Sequence, residues 1–282
     1  MEPLIPDLTI RTMARAELDR AVDWAAGEGW NPGHHDAIAF HACDPKGFVV
    51  GLADGEPIAS ISVVRYPAGF AFLGFYIVAP PWRGQGYGWQ LWQAGMARVA
   101  DCNIGLDGVV AQQANYKRSG FVLAYRNIRY GGDPPNVPAP GGLVDARAVP
   151  FDALVALDRT MFPAPRAGFL SNWVSLPGHR ALAALDDGRV TGFGVLRPCR
   201  NGAKIGPLYA DDRATAERLV LGLCAGVAGP VSLDLPEPNR DALALARTLD
   251  WTPQFETARM YTAKAPAIDL QRLYGVTTFE LG

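Results

Sequence analysis

The sequence predicts a mixed α/β fold (an α+β mixed sheet) built twice in tandem, each copy a mostly antiparallel twisted sheet flanked by helices. Three observations carry this expectation. The chain has 282 residues, more than the roughly 100 to 200 of a typical domain. Between Tyr130 and Leu143, eight of the twelve residues Gly131 to Gly142 are Gly or Pro, a composition that supports neither a helix nor a strand ladder. The same order of elements is read on both sides of that seam. The expected division is therefore a first domain over 1–130, a linker over 131–142 and a second domain over 143–282.

In the first half, a strand near Leu8 to Arg11 precedes a helix from Arg15 to Ala26, with Leu18, Val22 and Ala25 on one face. The loop from Glu28 to Gly33 leads to a short helix near His41. Strands Phe48 to Ala53 and Pro57 to Arg65 meet at Asp54-Gly55, a pair suited to a tight hairpin, and Phe70 to Val78 continues the meander. A helix from Tyr87 to Val99, a strand from Leu106 to Ala111, a short helix at Asn115 to Ser119 and a strand from Phe121 to Arg129 complete this half. In the second half, the strand Val144 to Ala148, helix Phe151 to Met161 and strands Arg180 to Leu185 and Val190 to Arg197 follow, hinged at Asp187-Gly188. Strand Ala203 to Ala210, helix Ala214 to Gly226, strand Val231 to Leu235, helix Arg240 to Leu249 and strand Gln254 to Thr262 close the repeat.

Composition narrows the function. Twenty-six basic and twenty-eight acidic residues give a formal charge of −2, which leaves no cationic excess for a phosphate backbone and argues against nucleic acid. The opening Met1 to Met13 carries Glu2, Asp7 and Arg11 with two prolines, and no later run has the roughly 18 uncharged apolar residues of a membrane span. A cytoplasmic protein with no membrane partner is expected. Cys43, Cys102, Cys199 and Cys224 form no CxxC, and His34 and His35 have no third ligand at metal-like spacing, so reduced thiols and no metal are expected.

The chemistry concentrates between Phe75 and Gly88. An apolar strand runs through Pro80-Pro81-Trp82 into Arg83-Gly84-Gln85-Gly86-Tyr87-Gly88 and then a helix. Alternate glycines leave backbone N–H groups bare where the helix dipole is positive, which makes an anion site suited to phosphate; the plainer alternative is a turn that only needs φ > 0. No Gly-Lys-Ser/Thr follows, against a triphosphate loop. The G-x-G-x-G spacing after a hairpin meander also argues against a dinucleotide fingerprint.

Arg83, Gly86 and Gly88, with Val78 and Pro80 ahead of them, resemble the pyrophosphate loop Q/R-x-x-G-x-G/A of the GNAT N-acetyltransferase family. Asn115-Tyr116-Lys117-Arg118-Ser119-Gly120-Phe121 is similar to the family's Tyr-x-x-x-Gly-Phe segment. With the hairpin meander ahead of them, the two motifs in order extend the resemblance over about residues 8 to 130. The resemblance implies acetyl-CoA as donor. Its pantetheine arm would lie along Tyr76, Ile77 and Val78, its pyrophosphate on Arg83, Gly84, Gln85, Gly86, Tyr87 and Gly88, with a further cofactor contact at Asn115. It also implies a primary amine of a small molecule or peptide as acceptor, acylated by direct attack in a ternary complex.

A tetrahedral oxyanion formed on that route would be stabilised by a free backbone N–H on the Val78 strand, as the family implies. The leaving thiolate, with a solution pKa of about 8.5, takes a proton from a group still protonated at neutral pH, and Tyr116, of a type that titrates near 10, is the expected general acid rather than a packing tyrosine. Many relatives carry a base Glu on the strand that here reads Gly74 to Val78, where this chain has Phe75 and Tyr76. The base is left open among Asp36, Asp44 and Asp107. In the family the loop between the first two helices walls the acceptor, which here points to Trp30 and Asn31, with Asp36 beyond them. A non-catalytic acyl-CoA-binding sensor or scaffold is the alternative function, kept open by the absent strand Glu, while Tyr116 beside an intact loop favours the enzyme.

Matched by order, the second half has Lys204 to Arg213 at the place of the loop, without its glycine pattern and with Asp211 and Asp212 at the helix start; Ala246 and Asp250 stand where Tyr116 and Gly120 stood. Carboxylates at a helix start cap it but repel phosphate. The second copy resembles the degenerate C-terminal GNAT-like domain of two-domain acetyltransferases. It is expected to bind no CoA and to complete the acceptor site, with Arg166 as a substrate contact or, alternatively, a partner of Asp158.

Overall fold

The computed structural model describes residues 7–282, so of the opening segment weighed above as an export signal, residues 1–6 lie outside the described residues. The first half runs β1 (Leu8–Thr12), α1 (Arg15–Gly27), α2 (Asp36–Cys43), β2 (Phe48–Ala53), β3 (Glu56–Tyr66), β4 (Phe70–Val78), α3 (Tyr87–Arg98), β5 (Asn103–Val109), α4 (Gln113–Arg118) and β6 (Val122–Gly132). The second runs β7 (Leu143–Asp145), α5 (Phe151–Met161), α6 (Ala167–Ser175), β8 (Arg180–Asp186), β9 (Arg189–Pro198), β10 (Ala203–Ala210), α7 (Arg213–Cys224), β11 (Val231–Pro236), α8 (Arg240–Thr248), β12 (Thr252–Tyr261) and β13 (Leu273–Gly275). Asp54 and Asp187 take φ of 49° and 46°, each followed by a glycine at positive φ. These are the tight turns expected at the two hairpins.

All strands join one sheet in the order β1-β2-β3-β4-β5-β12-β6-β11-β10-β9-β8-β7, with β13 laid against β10. The two copies exchange their last strands. β12 of the second half lies between β5 and β6, while β6 of the first half lies between β12 and β11. Gly131 and Gly132, expected to open the linker, are therefore the end of β6 and pair with Ser232 and Val231. A Cβ on Gly132 would stand 2.7 Å from the Trp251 ring, and one on Gly131 2.7 Å from the Gln254 amide, which can swing aside. The Gly- and Pro-rich stretch leaves the sheet only after Gly132.

A pseudo-twofold axis passes between β6 and β12. Asp107 of β5 lies opposite Arg259 of β12, and Asp234 of β11 lies opposite Arg129 of β6. Both pairs are buried and bidentate, at 2.9 and 2.7 Å for Arg259 and at 2.6 and 2.9 Å for Arg129. Removing one partner of such a pair strands a buried charge at a cost of about 3–5 kcal/mol, so the seam between the copies is strongly specified. Strand alternation sends Phe48, Val50 and Phe72 to one face, under α1, α2, α5 and α6, where Phe40 stacks on Trp173 across the two halves at 6.0 Å. Val49, Ala71 and Leu73 point to the other face, under α3 and α4; Ile205, Leu233 and Leu235 do the same under α7 and α8. Among the described residues no helix is long and apolar enough to cross a membrane.

Candidate active site

Parallel pairing of β4 with β5 stops at Leu73 and Leu106, although β4 continues to Val78 and β5 to Val109. The divergence is built locally. Phe75 takes φ of 46° in a bulge whose carbonyl accepts the Ser60 hydroxyl at 2.7 Å, and β12 draws residues 107–109 of β5 away as its own partners. A cavity of about 610 Å³ opens in the gap.

One end of the cavity is the glycine loop. Gly84 and Gly86 have φ of 77° and 87°, with no heavy atom within 4 Å of where a Cβ would stand, and Gly86 caps the start of α3. Bare amides at the positive end of a 12-residue helix form a cradle that fits a pyrophosphate. Gly88 is needed for close approach, because a Cβ there would lie 2.9 Å from the Tyr76 hydroxyl. Arg83 binds the loop to its neighbours: Nε donates to the Val78 carbonyl at 2.7 Å and Nη2 pairs with Glu28. Tyr76, Ile77, Val78, Arg83, Gly84, Gly86 and Gly88 all line the cavity. Gln85 turns back to donate to the Pro81 carbonyl at 2.9 Å, and Tyr87 is buried in the helix core edge-on to Trp82. Those two side chains stabilise the loop and are not part of the lining.

Tyr116 lines both this cavity and an adjoining one of about 480 Å³, which reaches Asn115 and Arg118. Its ring stacks on Trp92 at 5.6 Å, and burial pushes its phenol above the ordinary range, keeping it protonated at neutral pH. Asn115 lies in the outer cavity, bonded within α4 by Arg118 and to Gln112 at 2.5 Å.

Trp30 lines the cavity as well, together with Phe255 and Thr257 of β12 and Phe279, so the second half supplies part of the lining. Asn31, Asp36 and Arg166, expected near an acceptor, are outside it. Asn31 clamps the halves together, donating to the Asn201 carbonyl at 2.9 Å and accepting its N–H at 2.8 Å. Asp36 is fully buried, accepting from Gly33 N at 2.8 Å and paired with Arg197 at 3.1 Å. Arg166 is bound by Asp158 at 2.8 Å, in line with the alternative read from the sequence. Asn31 and Asp36 each answer a partner far along the chain, and Arg166 one on the preceding helix. Asp44 accepts from the amides of Lys46 and Arg65 at 3.0 and 2.9 Å, away from the cavity.

In the second copy the equivalent gap is closed. β10 and β11 pair in parallel only from Ala203 to Ile205, and β13 then fills the divergence against Leu208 and Tyr209, with Val276 N donating to the Asp234 carbonyl at 2.8 Å. Asp212 caps α7 through Thr215 N at 2.8 Å, and Asp211 is paired with Arg189 and Arg272. That the copies correspond is visible in their turns: Phe121 N donates to the Tyr116 carbonyl at 3.1 Å and Trp251 N to the Ala246 carbonyl at 3.0 Å.

Comparison with known proteins agrees with this geometry. Residues 15–121 match the acetyltransferase (GNAT) family and residues 154–275 an acetyltransferase (GNAT) domain. The chain is 32% identical over 263 residues to holothin acyltransferase from Pseudoalteromonas sp. (strain SANK 73390), a match covering 92% of this chain and 90% of the relative. The chain belongs to the GNAT acetyltransferase family. A putative acetyltransferase from Pyrococcus horikoshii has the same fold, with a TM-score of 0.85 at 22% identity over 100% of this chain and 99% of that one. A tandem GNAT protein from the clavulanic acid biosynthesis pathway aligns with a TM-score of 0.63 at 16% identity, covering 92% and 100%. As a tandem GNAT acyltransferase, the chain performs acyl-CoA-dependent acyl transfer, and the family implies an acceptor that contains an amine.

Proposed function

We propose that the first copy holds acetyl-CoA and transfers its acetyl group to a primary amine on a small molecule with a flat, largely apolar body. The observation that carries this reading is a single cavity running from the bare-amide loop at Gly84 and Gly86, past Tyr116, to a wall of Trp30, Phe255 and Phe279. An aromatic wall favours a small planar acceptor over a peptide, and one relative is named for acylating holothin. A cytoplasmic location accords with the donor.

The residues have separable duties. The loop amides and the α3 dipole bind the pyrophosphate. The edge of β4 that has parted from β5 presents backbone N–H groups to the developing oxyanion. When bound, acetyl-CoA supplies a thioester carbonyl with a thiolate as leaving group. Tyr116 protonates that sulfur, a transfer its buried, neutral phenol is suited to. Thiol release measured with acetyl-CoA against a panel of arylmethyl and heteroaryl amines, amino acids and peptides tests the reading. Turnover with planar small amines is expected; turnover confined to peptides refutes the acceptor class, and none with any amine refutes the transfer.

A further inference from the structure

The geometry points to Glu280 as the general base for the acceptor amine, delivered to β4 by a segment of the second half. This rests on the acyl-transfer reading above. On β4, a Cβ placed on Gly74 would stand 2.4 Å from the Glu280 carbonyl oxygen and 3.0 Å from its Cα. Gly74 is thus open so that the 276–282 segment can lie on β4. Glu280 on that segment is buried and lines the cavity.

Among the described residues three carboxyl groups line that cavity, and two are engaged. Glu28 is paired with Arg83, and Asp107 accepts Arg259 on both oxygens and Asn127 on one at 2.7 Å. Glu280 enters no salt bridge among the described residues. The segment that carries it is fixed. Arg166 donates to the Gly282 carbonyl at 2.9 Å and to the Thr277 hydroxyl at 2.8 Å, Arg197 to the Thr277 carbonyl at 3.3 Å, and Tyr66 to the Leu281 carbonyl at 3.0 Å. Arg166, expected from the sequence to touch substrate, is on this account a positioning residue.

The charged groups around Glu280 are Lys204 on β10, Arg197 on β9, Arg129 on β6 and Asp36 on α2. Burial raises its carboxyl above the ordinary range, with Asp36 adding to the rise and the three cations opposing it. In the step, the neutral amine nitrogen forms the C–N bond to the acyl carbon, Glu280 takes the proton that this nitrogen then carries, the C–S bond breaks, and the sulfur takes its proton from Tyr116. An amide and a free thiol result, and the proton that Glu280 has taken is returned through solvent to the Tyr116 phenolate, so both groups regain their starting states.

The test compares wild type with Glu280→Gln and Glu280→Asp, using acetyl-CoA with benzylamine and tryptamine among the amines, across pH. Glu280→Gln is expected to bind CoA as wild type does and to lose about 10²-fold or more in kcat/KM, with the acid-side limb of the pH profile abolished. Glu280→Asp, which keeps the charge and withdraws it by one methylene, should lose about tenfold and keep that limb. A purely charge-balancing Glu280 would instead lower the melting temperature and leave the acid limb in place. Glu280→Gln turning over within threefold of wild type, or Glu280→Asp fully active should the Gln variant fail to fold, overturns the assignment alone. Wild type releasing no thiol with any amine overturns the acyl-transfer reading beneath it.

Discussion

Replacing Gly74 with Ala adds one methyl where the backbones of the two halves approach closely. Gly74 is outside the set of residues at positive φ, so alanine fits the backbone and any effect must come from space. The new Cβ would stand 2.4 Å from the Glu280 carbonyl oxygen, against the 3.4 Å at which ordinary contact begins, a deficit of about 1 Å. Backbone lies on both sides of the clash, so a rotamer change cannot relieve it. The 276–282 segment has to move against its bonds to Arg166, Tyr66 and Asp234. Overpacking of this kind costs about 1–3 kcal/mol, or a melting temperature lower by roughly 2–10 °C for a chain of this size. A 1 Å misplacement of a reacting group costs on the order of 10²-fold in rate. Thermal melts and thiol-release kinetics read both effects, with CoA affinity by calorimetry expected to be unchanged. Gly168→Ala in α6, where nothing lies within 4 Å of the added Cβ, serves as the control and should be neutral or stabilising. A Gly74→Ala chain that melts with wild type and turns over within threefold of it would refute the close-approach argument.

Tyr116→Phe removes only the proton donor and keeps the ring stacked on Trp92, so kcat should fall by about 10²- to 10⁴-fold at nearly constant CoA affinity; a loss under about threefold would assign the proton to another group. His179 is buried with Nδ1 2.8 Å from the Trp173 carbonyl, and burial followed by Arg197 lowers its pKa from 6.5 to about 4. The folded state therefore resists its protonation: the stability it contributes is complete above about pH 6.5 and is lost as pH falls toward 4. About 2 kcal/mol should disappear between pH 7 and pH 5 in chemical denaturation, and a His179→Gln chain showing the same decline would refute this origin.

Features that depend on local chemistry were legible in the sequence. Asp54-Gly55 and Asp187-Gly188 turn where their own φ preferences demand, and the Gly84 to Gly88 spacing announces bare amides ahead of a helix. What escaped depends on partners far along the chain. Nothing within Val122 to Gly132 says that its neighbours are β11 and β12, over 100 residues away. Asn31 sits at a turn and looks available, yet it answers a group on a distant element, whereas the pairing of Arg166 with Asp158, eight residues back, was one of the two readings the sequence offered. Phe255, Thr257, Phe279 and Glu280 reach the cavity only because the last strands are exchanged, and α6 and β13 went unrecognised because the first follows a proline-rich turn and the second is three residues long. One signal was available. Leu106-Asp107 and Leu233-Asp234 recur on matching strands, each followed two elements later by an arginine on the strand that the other copy borrows.

The closed second gap leads to the stoichiometry of the cofactor. β13 fills the divergence of β10 from β11, and the chain leaving it passes Gly206, whose added Cβ would stand 2.5 Å from the Thr277 carbonyl oxygen, before it reaches Gly74. Gly206 and Gly74 follow the paired leucine-type positions Ile205 and Leu73 in the two copies, so one segment leans on the same bare backbone twice. Filling the second cleft and furnishing the first are therefore done by one stretch of chain. CoA could enter the second cleft only by displacing that stretch, with its bonds to Arg166, Arg197 and Tyr66, and Asp211 and Asp212 at the α7 start would repel the pyrophosphate. Calorimetric titration should give one CoA per chain. Gly86→Asp, which puts an anion and a Cβ at a left-handed position in the first loop, should weaken that single site by an order of magnitude or more. A second site of comparable affinity that persists in Gly86→Asp would mean that the 276–282 segment yields to ligand, and the coupling of the two clefts would have to be given up.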